Sequence, residues 1–142
     1  MTQAPTLNGQ VIGQAERATR AVLEVLLAET GTPFVEWVAL NLTAQRESTL
    51  EALVDQLVTG LRISERDARF TIDVLIADAL VTVGDTVRLT GAGAAKYQQI
   101  SDGIADITRR LYRDLPHDDL VVARRVLETL TERARAELAS AS

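Results

Sequence analysis

The sequence has no cysteine and a single histidine, His117. A disulfide framework, a thiolate zinc site and a cysteine nucleophile are therefore excluded together, and a histidine-built metal centre has too few ligands. Aromatic residues make up only 4% of the chain, so its core has to come from Leu, Val, Ile and Ala, a mix suited to closely packed helices. No apolar run approaches the ~18 residues of a membrane span. The first cationic side chain is Arg17, so the positive start and apolar stretch of a secretory signal are missing, and a cytoplasmic protein with no membrane partner is expected. Glycine-rich phosphate loops, nucleophile elbows and zinc motifs are also missing. Acid pairs such as Asp118-Asp119 point in different directions on a helix. No enzyme activity, catalytic residue, metal or cofactor is expected.

What is present fits one domain. The chain has 142 residues, 46% hydrophobic and 25% charged, which is a globular rather than a disordered composition. Its net charge of −5 argues against indiscriminate attraction to phosphates.

Helical periodicity dominates the pattern. Val11, Ala15, Ala18, Val22 and Leu26 recur along a helix predicted over Gly9–Glu29, which Gly31 stops in a left-handed conformation. Thr32-Pro33 restarts the chain, the threonine as cap, into a helix over 33–45 that carries Phe34, Trp37, Val38 and Leu42. Ser48-Thr49-Leu50-Glu51 has capping-box spacing. A third helix follows, ended by Gly60. After a short turn Ser64 caps a fourth helix running to about Ala79, with Ala68, Ile72, Leu75, Ile76 and Ala79 on its buried face. Two helices joined by a glycine-containing turn form a helix-turn-helix pattern. Val81-Thr82-Val83 and Thr86-Val87-Arg88-Leu89 then alternate around Gly84-Asp85 as a hairpin, and a helix pair followed at once by a hairpin is a winged helix. Thr90 caps a fifth helix to about Asp114, Leu115-Pro116 breaks it, and a sixth covers 119–139. Leu120, Ala123, Leu127, Leu130 and Ala134 form a coiled-coil-like seam on that last helix.

This order of elements resembles the multiple antibiotic resistance regulator (MarR) family. Glu36-Trp37-Val38-Ala39-Leu40 resembles its second helix and Thr49 to Leu57 its third. Asp73-Val74-Leu75 through Ala79-Leu80-Val81 resembles the end of its recognition helix, and Val87 to Gly93 the return strand of its wing. The resemblance implies a mainly α fold with a small hairpin wing, in a single domain over 1–142. It places a winged helix-turn-helix lobe at about 33–91 and dimerisation helices at about 7–30 and 92–140. It further implies a homodimeric transcription regulator that reads pseudo-palindromic double-stranded DNA. A small effector, often aromatic, enters between the dimer helices and the lobe in many members.

On that reading Ser64, Arg66, Asp67, Arg69 and Phe70 of the fourth helix and Arg88 of the wing face DNA. Arginine suits guanine edges and phosphates, although Arg66 and Arg69 read equally as cations solvating an exposed face. Phe70 and Asp67 depart from the arginine and small hydroxyl residue frequent at these family positions. The wing is short, with Arg88 its only cation. Between Arg46 and Gly91 five arginines (Arg46, Arg62, Arg66, Arg69, Arg88) face eight acids (Glu47, Glu51, Asp55, Glu65, Asp67, Asp73, Asp78, Asp85), a net of −3. Phe34 and Trp37 either line an effector cleft or belong to the core. Arg113, in a run with Arg109 and Arg110, either attracts an anionic effector or is a solvated face. Val11, Val22, Leu26, Leu120, Leu127 and Leu130 are the candidate dimer contacts. Two functions fit: a ligand-responsive DNA-binding regulator, or a winged-helix dimer that has lost DNA binding and serves as a ligand- or protein-binding module.

Overall fold

Local hydrogen bonds set the boundaries of most elements in the computed structural model, which describes residues 6–141. The elements are α1 (Gly9–Glu29), α2 (Phe34–Gln45), α3 (Leu50–Leu61), α4 (Glu65–Ala77), β1 (Val81–Val83), β2 (Val87–Leu89), α5 (Gly91–Leu111) and α6 (His117–Ala141). This is the winged helix expected from the sequence. The Val11 N–H donates to Asn8 Oδ1 at 2.9 Å and so starts α1. At the other end Gly31 takes φ 66°. The Thr32 N–H then reaches the Leu27 carbonyl at 3.0 Å and the Gly31 N–H the Ala28 carbonyl at 3.2 Å, a Schellman closure.

Two expected caps are corrected. Thr32 does not cap α2, because its buried hydroxyl is engaged with Thr30 and the N-cap position falls to Pro33, which makes no side-chain bond. Ser48 does not cap α3. Its carbonyl accepts the Val87 N–H at 2.8 Å, drawing it into a bridge beside the hairpin, and Thr49 takes the cap by accepting the Ala52 N–H at 3.1 Å. Thr49→Ala is therefore expected to cost about 1 kcal/mol in chemical denaturation. Ser48→Ala should cost clearly less, since the Ser48 hydroxyl only accepts a long 3.4 Å bond from Gln56. Equal losses would return the cap to Ser48.

The turn of the helix pair also differs. α3 runs through Gly60 to Leu61, and the left-handed residue is Arg62, at φ 54°. Ser64 caps α4 as expected, accepting the Asp67 N–H at 3.0 Å. α4 buries Ala68, Thr71, Ile72 and Leu75. The helical wheel puts Ile76 and Ala79 on that face too, but Ile76 is 42% exposed and Ala79 is exposed beyond the helix end. For Ala79 the reason is a second Schellman closure. Ala79 takes φ 59° and the Leu80 N–H returns to the Leu75 carbonyl at 2.9 Å, so the wheel stops applying at Ala77. β1 and β2 pair antiparallel, Val81 with Leu89 and Val83 with Val87. Thr86 lies in the turn, not in a strand, and its carbonyl accepts the Gly84 N–H at 3.0 Å.

The chain divides within α5 into two compact units, one up to Ala105 and one from Asp106. The first holds two apolar clusters. Ala39, Leu40, Leu53, Val54, Leu57, Ala68, Ile72, Leu75, Val81 and Val87 unite α2, α3, α4 and the hairpin. Leu27, Trp37 and Ile100, with Leu23, Leu26, Phe34, Tyr97 and Ile104 against them, unite α1, α2 and α5. Thr90 pins the start of α5: its hydroxyl donates to the Ala79 carbonyl at 2.6 Å and accepts the Gly93 N–H at 3.0 Å. In the second unit α5 ends at Leu111 rather than Asp114, because Asp114 turns left-handed at φ 64°. α6 begins at His117, two residues earlier than expected, and none of its residues is buried.

Candidate nucleic-acid interface

The α3–α4 turn fixes which side chains α4 presents. With Ala68, Thr71, Ile72 and Leu75 turned inward, the helical repeat leaves Glu65, Arg66, Asp67, Phe70 and Asp73 exposed. Ser64 stands at the helix start with its oxygen committed to the Asp67 N–H. Phe70 is 67% exposed. Exposure of that degree leaves a large apolar ring with no core role. It borders an open hollow of about 570 Å³, also lined by Glu65, Arg66, Arg69 and Asp73.

The two α4 arginines differ sharply. Arg66 is exposed and has no hydrogen-bond or ion-pair partner among the described residues. Arg69 is held by two carboxylates. Its Nη2 donates to Glu51 Oε2 at 2.7 Å and Oε1 at 3.0 Å, and to Glu65 Oε1 at 2.8 Å, while its Nε donates to Glu65 Oε1 at 3.1 Å. Those bonds, from Glu51 first and Glu65 second, push the guanidinium pKa further up. On the hairpin Arg88 is paired as well, with Glu47 at 3.1 Å and with the Thr86 hydroxyl at 3.3 Å. Sequence reasoning named the cations of this face but missed the carboxylates that hold them. The Glu65–Arg69 pair was detectable from its i,i+4 spacing. Glu51 and Glu47 carried no such local signal, because they meet their arginines only once α3 packs on α4 and Ser48 bridges the hairpin.

The candidate effector residues separate. Trp37 is 7% exposed and stacks on Tyr97 with ring centroids 5.6 Å apart. Phe34 is half-buried under the Arg20 guanidinium, 5.3 Å from its ring centroid. Both belong to the α1–α2–α5 cluster. Phe34 also borders an open hollow of about 340 Å³, with Glu24, Leu27 and Thr32. Nearby on α2, burial raises the Glu36 carboxyl above its usual range, against the opposing pull of Lys96. Arg113 is exposed in the second unit.

Of the candidate dimer contacts, Leu26 packs within this chain's second cluster and meets Gly103 closely. Val11, Val22, Leu127 and Leu130 are 38–45% exposed. Leu120, Ala123 and Leu127 line a groove of about 660 Å³ on the second unit, with Tyr112, Arg124 and Arg135. No helix among the described residues is long and apolar enough to cross a membrane.

The sequence matches no family model and no curated protein. Solved structures, in contrast, match the fold closely. The ligand-free structure of NadR superposes with a TM-score of 0.76 at 18% identity, over 90% of this chain and 99% of that one. The Mycobacterium tuberculosis MarR family protein Rv2887, solved in complex with DNA, gives 0.71 at 18% identity, over 90% and 98%. Staphylococcus aureus MarR, solved with salicylate and kanamycin, gives 0.78 at 17% identity, over 90% of each chain. The chain has the winged-helix fold of the MarR family regulators.

Proposed function

We propose that this chain is a MarR-type transcription regulator, a homodimer that binds pseudo-palindromic double-stranded DNA in the cytoplasm, and not an enzyme. The observation that carries the reading is the outer face of α4. A capped helix in a helix-turn-helix, followed directly by a hairpin wing, presents an unpaired arginine and a bare phenylalanine that no intramolecular packing explains. Likeness to a fold solved on DNA supports it. Residues 33–91 form the DNA-binding lobe, and 7–30 with 92–140 the dimerisation helices. Two copies of α4 then address half-sites about one helical turn apart. The solved complex of a relative with salicylate supports response to a small aromatic or anionic ligand. Phe34, Trp37 and Arg113 are the residues to test for it.

Arg66 is the base-reading candidate, because Arg69 and Arg88 already hold carboxylates. The test is selection of bound fragments from random or genomic duplex DNA, followed by Arg66→Ala. A base-edge arginine contributes about 1–3 kcal/mol of discrimination. The variant should fold normally, lose affinity for the selected fragment by at least several-fold and show relaxed preference. Wild-type protein that retains no duplex at low salt would overturn the regulator reading. The ligand- or protein-binding module would replace it.

A further inference from the structure

Two of the arginines on the helix-turn-helix and wing are neutralised from one short segment of chain. Glu47, in the α2–α3 connection, reaches Arg88 on β2. Glu51, four residues later in the first turn of α3, reaches Arg69 on α4, and Glu65 closes on the same guanidinium from its own helix. Arg46, Arg62 and Arg66 have no carboxylate partner among the described residues. A guanidinium offers the same planar fork to a carboxylate as to a phosphate. Arg69 reaches both Glu51 oxygens through Nη2 and Glu65 through Nη2 and Nε, so two of its three nitrogens are held by protein carboxylates before any nucleic acid arrives.

We propose that Glu47 and Glu51 determine selectivity by standing in for DNA phosphates, holding Arg88 and Arg69 so that generic duplex gains little from either cation. The inference rests on the DNA-binding reading above. Its logic is electrostatic. Phosphate contacts supply sequence-independent affinity and its steep salt dependence. A lobe that occupies two of its five arginines gives up part of that component and shifts discrimination toward base-edge contacts from Arg66 and Phe70. All four side chains are substantially exposed, from 39% for Arg69 to 69% for Glu51. Solvent-exposed pairs of this kind are individually weak. The carboxylates therefore lower the yield of a phosphate contact without locking the face shut.

The test uses a labelled random-sequence duplex and a labelled fragment selected by the wild-type protein, each titrated across a salt series. Glu47→Gln/Glu51→Gln should bind the random duplex roughly tenfold tighter, with the log–log salt slope steeper by about 0.9 for each additional phosphate neutralised. The ratio of selected to random affinity should fall, and the thermal midpoint should stay unchanged. The same two changes are then made in an Arg69→Ala/Arg88→Ala background. If the carboxylates act by holding those arginines, most of the increase disappears there. An equal increase in both backgrounds means that only bulk charge changed, and overturns the proposal. No increase at all also overturns it while leaving wild-type DNA binding intact. Failure of wild-type and variant alike to bind any duplex at low salt overturns the regulator reading and this inference with it.

Discussion

Leu127→Asp is expected to convert a particle of twice the 15.4 kDa chain mass into a single-chain or unfolded species in light scattering at micromolar concentration. α6 spans 25 residues and buries none of them. Isolated helices are marginal in water, and most helical stability comes from packing an apolar face. The exposed Val122, Val126, Leu127 and Leu130 supply such a face. Leu127 is 41% exposed, so in a monomer an aspartate there would be almost neutral. In a dimer it would bury an unpaired carboxylate, at a cost above the roughly 2–7 kcal/mol of an uncompensated neutral polar group. The same substitution thus separates the two states. A wild-type protein of single-chain mass, or a Leu127→Asp variant that keeps the double mass, would remove the dimer reading.

Gly93→Ala should be the most damaging single methyl in the first unit. A Cβ at this position would lie 1.9 Å from the Leu80 carbonyl oxygen and 2.9 Å from its carbon. No side-chain rotation relieves that overlap, because the obstacle is backbone. The same carbonyl accepts the Thr90 N–H at 3.0 Å, and Leu80 closes the end of α4. The added methyl has to prise the start of α5 from the junction that joins recognition helix to wing. Overpacking typically costs about 1–3 kcal/mol, and backbone displacement puts this case at or beyond the upper end. Gly91→Ala is the control, since nothing lies within 4 Å of its Cβ. Denaturant midpoints that are equal for the two variants would show that the junction yields freely.

Much of this architecture is legible in the residues themselves. Both ends of α1 follow from apolar residues recurring every three or four positions and from Gly31, which punctuates them. Ser64 and Thr90 are recognisable caps, and the alternation around Gly84-Asp85 marks the hairpin. Several misreadings share a physical cause, competition from a partner distant in sequence. Ser48 looks like a cap until Val87 claims its carbonyl. Others are local. Ala79 looks buried only while the wheel is extended past a helix that has already ended. Gly60 looks like a helix stop, yet Arg62 takes the left-handed conformation that glycine would adopt at less cost. Within the candidate interface the cations are visible as residue types. Their neutralisation is not, because a pair such as Glu47 with Arg88 exists only after strand and helix have met.

The stacking of Trp37 on Tyr97 has a practical consequence for spectroscopy. Trp37 is the sole indole in the chain, and it sits almost fully buried in the α1–α2–α5 cluster. Indole emission, excited selectively over the two tyrosines, therefore reports the packing of that cluster. An emission change on adding a small ligand would locate the perturbation there, and a red shift on heating would time the melting of that cluster. α4 and α6 carry no indole, so events confined to them leave the signal unchanged, and anisotropy of a labelled duplex or particle mass has to follow them instead.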